Sequence, residues 1–254
     1  MARLTELSNQ QHKDLCIVPN AAVNYAAKQH VMNLQASELA HAATCFPVFI
    51  SRNSRNGQLS LSALASFVTG RNLFLQNASW QPVFKPSSLL TYPLYLMQSP
   101  KTEQSFTIGF DAESEDLADG NGTPLFTEDG KATAELMEMT KLLNNELTSM
   151  QQSMAFLKTL DELNLLKSVD LQVQYQVGQT EVIRGLYTIN EERLQTLDVE
   201  QLDSLRKAGY LMPIHALLIS LLQINMLINK HNATDDLPSI STVKIEVSKE
   251  LTNQ

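Results

Sequence analysis

Cysteine, tryptophan and basic residues are all scarce in this chain. Cys16 and Cys45 are the only cysteines, and they lie in separate segments with no CxxC or Cys/His spacing. That excludes a disulfide framework and leaves buried, reduced thiols as the simplest expectation. Lys and Arg total 19 against 27 Asp and Glu, a net charge of −8. A surface of that sign repels phosphate backbones and anionic headgroups, so neither nucleic acid nor a membrane surface is an expected partner. The N-terminal MARLTELSNQQHKDLCIVPN has no apolar run behind its Arg, which points to a cytoplasmic protein.

The usual catalytic constellations are missing or incomplete. No GxSxG elbow and no GK[ST] phosphate loop occurs. Gly120-Asn121-Gly122 runs into Thr123-Pro124 rather than a helix opened by a third glycine, so it is no dinucleotide fingerprint. Ser204-Leu205-Arg206-Lys207 has SxxK form but ends a helix, where Lys suits the dipole. Glu38-x-x-His41 has the spacing of a helical di-iron ligand pair, but no second copy exists. The acidic loop with Asp111, Glu113, Glu115, Asp116 and Asp119 offers calcium-type oxygens. Read as an EF-hand, it has Asp116 where Gly is required and Gly122 where Glu is required. We therefore expect no metal, no cofactor and no catalytic residue, and lean away from an enzyme. The alternative is an auxiliary enzyme of halogenation or hydroxylation whose site is assembled from distant residues.

The chain does hold one strongly apolar run. From Leu211 to Asn229 no charged residue occurs, and only His215, Ser220, Gln223, Asn225 and Asn229 interrupt the apolar side chains. A bilayer span needs about 20 nearly uninterrupted apolar residues. The run falls short of that, so we expect a buried central helix with His215 hydrogen-bonded in the core, or else a homodimer contact.

At 254 residues the chain can bury about 70–75% of its unfolded surface without a staple. Val31–Leu34, Phe46–Ile50, Leu59–Val68, Leu73–Leu75 and Phe106–Phe110 read as strands of an antiparallel meander, with a turn at Arg52–Gly57 and a helix capped by Ser37. Lys131–Leu160 lacks Gly and Pro and carries Leu136, Leu143, Leu147, Met150, Met154 and Leu157 as a core-facing stripe. Leu171, Val173, Tyr175 and Val177 alternate with glutamines, turn at Gly178-Gln179 and return to Ile189, with a bulge expected at Gly185. Asn190 and Asp198, the latter with Gln201, are helix caps. The fold class is α+β: an antiparallel β-meander and hairpin packed with a long amphipathic helix and a buried central C-terminal helix. We expect a single domain over residues 1–230. Residues 231–254 read as a polar linker and tail with an edge strand at Val243–Val247.

Trp80, Phe84, Tyr92 and Tyr95 stand among Pro82, Pro86 and Pro93. Aromatics in proline-rich chain suit a preformed groove, and we take these four as the candidate binding residues. Finally, an ordered set of pieces resembles the SapC-like family, a bacterial group named after a surface-layer locus. The pieces are Glu38, Phe46-Pro47-Val48-Phe49, Gly70-Arg71-Asn72-Leu73-Phe74, Trp80, Tyr92-Pro93, Leu125-Phe126, Gly185-Leu186-Tyr187 and Gly209-Tyr210-Leu211, across roughly residues 10–230. The resemblance implies a mostly proteobacterial protein of unknown biochemistry. Genes of the family sit beside TonB-dependent receptors, flavin-dependent halogenases and cupin-like hydroxylases. It supplies no catalytic residues. What it implies is a non-catalytic adaptor whose partner is a halogenase-like enzyme or a TonB-dependent receptor.

Overall fold

Sequence alternation and helix caps place most of the larger elements in a computed structural model that describes residues 4–53, 56–100 and 105–248. Part of the expected turn at Arg52–Gly57 and the last residues of the tail lie outside the described residues. In chain order come β1 (Leu4–Glu6), β2 (Leu15–Ile17), α1 (Ala21–Ala27) and β3 (Val31–Leu34). A 3₁₀ turn (Ala36–Glu38) then leads into α2 (Leu39–Ala42), β4 (Val48–Arg52) and β5 (Leu59–Leu64). The short pair β6 (Leu75–Gln76) and β7 (Ser79–Trp80) precedes α3 (Ser87–Leu90), β8 (Leu94–Gln98), β9 (Phe106–Asp111), β10 (Leu117–Asp119) and β11 (Thr123–Pro124). The second half holds α4 (Ala134–Glu162), β12 (Leu166–Tyr175), β13 (Thr180–Ile189), α5 (Glu191–Gln195), α6 (Val199–Lys207), α7 (Leu211–Ser220), α8 (Gln223–Asn232) and β14 (Ile240–Val247). The class is α+β with antiparallel pairing throughout.

These elements gather in two units. One comprises residues 1–26 and 87–150, and the other residues 27–86 and 151–254, so the division falls inside α4. The strands of the first half are shared out accordingly instead of forming one continuous meander.

In the first unit β1–β9–β8 form one small sheet and β10–β2–β11 another. Leu15, Leu94, Phe110, Leu125, Leu136, Met139 and Leu143 make its core. The acidic loop is thus partly structured. β10 lies on one side of β2 and β11 on the other, with Leu117 and Thr123 both facing Ile17. Gly122 makes the crossing at φ +129°, where a Cβ would stand 2.0 Å from the Ile17 carbonyl oxygen, so no side chain fits.

The second unit is built on a six-stranded sheet of order β14–β12–β13–β4–β5–β3. The β12–β13 hairpin supplies its longest ladder, from Leu166 opposite Ile189 to Gln174 opposite Thr180. The register slips between Val169 and Leu171, and Gly185 takes φ +79° there, the bulge its sequence suggests. β14 adds the outer edge, pairing Val169 with Val247 and Tyr175 with Ile240. Asn190 caps α5 by accepting the Arg193 N–H, and Asp198 and Gln201 close a capping box on α6. At α2 the chain departs from expectation. The helical turn begins before Ser37, with the Glu38 carboxylate accepting the Gln35 N–H at 2.8 Å.

α4 is a single helix, and Leu136, Leu143 and Leu157 are buried as the stripe requires. Met150 and Met154 are exposed. Ser153 and Phe156 take the inward positions in the last turns, because the periodicity of a long straight helix drifts against a seven-residue spacing.

α7 and α8 overturn the expectation of an all-round buried helix. Their joint keeps helical backbone, tightened by 3₁₀-type bonds from the Leu221, Leu222 and Ile224 N–H groups to the Leu218, Ile219 and Leu221 carbonyls. The helical run therefore spans 22 residues, Leu211–Asn232, long and apolar enough by length and composition to cross a membrane, a length that the shorter apolar run did not suggest. Ile214, Leu217, Ser220, Ile224, Leu227 and His231 are buried on one side. Ser220 is the one hydroxyl in that face. It accepts the Val48 N–H at 3.0 Å and donates to the Leu217 carbonyl at 2.6 Å, which satisfies the start of β4. His215 faces solvent, and the core histidine is His231.

Candidate functional site: an aromatic segment and an uncharged helix face

The four sequence-predicted binding residues fall in different units, and each pair has its own surroundings. Trp80, at the end of β7, and Phe84, in the loop beyond it, are half-buried. The indole N–H donates to the Phe84 carbonyl at 3.0 Å, and Phe84 stacks on the exposed His41 with ring centroids 6.2 Å apart. Val83, between them in the chain, is fully exposed, so this loop presents an apolar tip to solvent.

Tyr92 is buried and Tyr95, on β8, is half-buried. Tyr25 from α1, a residue sequence reasoning passed over inside an alanine-rich piece, stacks on Tyr92 with centroids 4.0 Å apart. Tyr95 meets Tyr92 edge-on at 6.2 Å. The Tyr92 hydroxyl donates to Asp116, from the acidic loop. Burial pushes the Tyr92 hydroxyl well above the usual tyrosine range, and the Asp116 hydrogen bond adds to that. Burial, with the nearby Tyr25, Asp111 and Asp116, pushes Tyr95 up to about 12. Tyr92 and Tyr95 therefore hold their protons, and the three rings pack around the Tyr92 donor. No periodic signal could have joined Tyr25 to Tyr92, because some 65 residues of chain separate them.

The acidic side chains do not converge. Asp111 Oδ1 accepts the Glu113 N–H at 3.1 Å, and Asp116 bonds Tyr92. Among the described residues no group of three or more His, Cys, Asp or Glu side chains could hold a metal ion. The histidines are dispersed as well. His12 Nδ1 accepts the Ser8 N–H, His30 Nδ1 faces the Gly70 N–H, and His41 and His215 are exposed. His231 is fully buried against Phe67 and Tyr175, with one ring nitrogen on the Pro238 carbonyl at 3.0 Å and Nδ1 without a partner among the described residues. Burial holds its pKa below the ordinary histidine value. Both cysteines are free, Cys16 buried and Cys45 half-buried.

The outer side of α7–α8 also carries exposed apolar side chains. Met212 is 67% exposed, Ile219 59% and Leu222 71%. With the exposed His215 and Asn229 and the half-buried Met226, they form a stripe at positions 212, 215, 219, 222, 226 and 229. That alternation of threes and fours is the spacing of a coiled-coil seam, on the side opposite the buried one. At its N-terminal end Met212 joins a groove of about 430 Å³ lined by small residues, among them Ala36, Ala40, Ala155 and Gly209, with Tyr210.

A family model described as SapC matches residues 7–227. The match takes in the stripe up to Met226 and stops short of β14. No curated protein and no solved structure matches the chain.

Proposed function

Because the chain belongs to the SapC family, we propose that it is a non-catalytic cytoplasmic binding protein, an adaptor in bacterial surface-layer or TonB-dependent uptake systems and their neighbouring flavin-dependent halogenases. The observation that carries this reading is the exposed stripe of α7–α8. Three large aliphatic side chains stand in water on a helix whose other face already holds the core. Large apolar side chains exposed along one helix face mark a contact surface, and a seam at heptad spacing is shaped to receive another helix or an apolar surface. The Trp80–Phe84 loop, with its exposed Val83 tip, is a second contact surface, and a halogenase-like enzyme or a TonB-dependent receptor is the companion suggested by the family's gene surroundings.

Capture from the native extract tests this. The wild-type chain should recover a specific companion, and Ile219→Lys should lose it while melting within a few degrees of the parent. Unchanged capture by Ile219→Lys removes the stripe from the account. A pure protein that turns over a substrate, and stops when His41 is replaced, ends the adaptor reading.

A further inference from the structure

We infer that the α7–α8 stripe is covered by the same stripe of a second copy of this chain, antiparallel across a two-fold axis beside Leu221. The inference rests on reading the stripe as a contact surface and names its occupant; the heterologous companion is then bound by the resulting dimer, which is why a stripe variant loses it.

Charge is the first ground. The chain carries −8, so two copies repel wherever their general surfaces meet. Leu211–Asn229 has no charged residue, so the stripe itself brings no like charges together; Glu191, Glu192 and Glu246, which line a pocket with Leu221, lie with Lys167 at the flank of the seam. The second ground is self-complementarity. A two-fold contact is isologous, so each position must be compatible with its mirror in the pair. Antiparallel pairing about Leu221 sets Ile219 against the partner copy's Leu222 and His215 against its Met226. Met212 then meets Asn229. The centre is aliphatic, the next layer places a thioether on an imidazole ring, and polar amides lie at the ends where water reaches. Antiparallel alignment also opposes the two helix dipoles. The third ground is size. A helical run of 22 residues is about 33 Å long, enough for a seam of several turns at the low end of specific interfaces. The pair is therefore a reversible dimer.

Sedimentation velocity on the full chain, from about 1 to 100 μM, tests the pairing. The wild type should pass from monomer to dimer over this range. Leu222→Lys and Ile219→Lys should weaken the dimer at least tenfold, with unchanged melting at low concentration. Val177→Lys, on an exposed residue outside the stripe, should leave it unchanged. Mixed Ile219→Cys and Leu222→Cys chains, oxidised and digested, should yield the 219–222 link in excess over the 219–219 and 222–222 links. A chain that stays monomeric, dimers that survive the lysine variants, or like-with-like links in excess overturn the pairing. So does a monomer that floats with phosphatidylcholine vesicles, which would assign the stripe to a bilayer. A monomer whose Leu222→Lys variant still loses a heterologous companion overturns the dimer alone. A Leu222→Lys chain that keeps both dimer and companion removes the contact surface as well.

Discussion

The α7–α8 run and the tyrosine cluster are inverted relative to what their compositions suggest. The most apolar stretch of the chain turns half of its circumference to solvent, whereas Tyr92, chosen for its fitness at a contact, is buried and hydrogen-bonded to Asp116. Apolar content says how much surface a segment would like to hide. It does not say how much of that hiding its own chain provides. A tyrosine placed beside a carboxylate spends its polar tip internally and has nothing left to offer a partner.

The sharpest way to break this contrast is at the inner seam. Leu227 is fully buried. Leu227→Asp places an unpartnered carboxylate in the core, a loss of several kcal/mol from a total of about 5–15, so soluble folded protein should be lost. The half-buried Leu218 and Leu221 should tolerate Asp better, read as smaller drops in melting temperature.

Tyr92→Phe probes the other region. If the hydroxyl serves Asp116, its removal costs about 1.5–3 kcal/mol by denaturant unfolding and leaves companion capture unchanged. A contact tyrosine would behave in the opposite way, with little stability lost and capture weakened.

Acid separates the two regions more gently. His231 sits on the inner seam, with its pKa lowered chiefly by burial and also by Arg71, while the Pro238 carbonyl and Glu181 pull the other way. Since the folded pKa lies below the unfolded value of about 6.5, the unfolded chain takes up a proton first as pH falls. This contribution is fully present above that value and is lost as pH drops through the interval down to the folded pKa. Urea midpoints should decline from pH 7.5 to 5.5, and His231→Gln should flatten the decline. An equal slope in both proteins would mean that His231 takes no part.

Much of the second unit was legible in the sequence. Alternation at Leu171–Tyr175, the Gly178 turn, the Gly185 bulge and the Asp198–Gln201 box are local patterns, and local patterns survive in the fold, although Val177, expected on the same buried face, lies beyond the end of β12 and is exposed. β10 and β11 were not legible, because strands of two or three residues carry no period. Their place is set by a close approach that only Gly122 allows, and the sequence does not show which backbone is approached. The aromatic site was legible as composition but not as geometry. Trp80 and Phe84 lie close to Tyr92 and Tyr95 in the chain yet belong to the other unit. The stripe was legible in its spacing alone, since a heptad seam and a buried face look the same until the other side of the helix is seen to be occupied.

Two truncations on the same helix test the central claim, that one face of α7–α8 holds the fold and the other is kept for a partner. Leu217 is fully buried and Leu222 is 71% exposed. Denaturant unfolding should be run at a protein concentration low enough to exclude self-association. Leu217→Ala should then lose about 2–5 kcal/mol, and Leu222→Ala should stay within about 0.5 kcal/mol of the parent. Equal losses at the two positions would mean that the outer face is also core, and the account of a two-faced helix would fail.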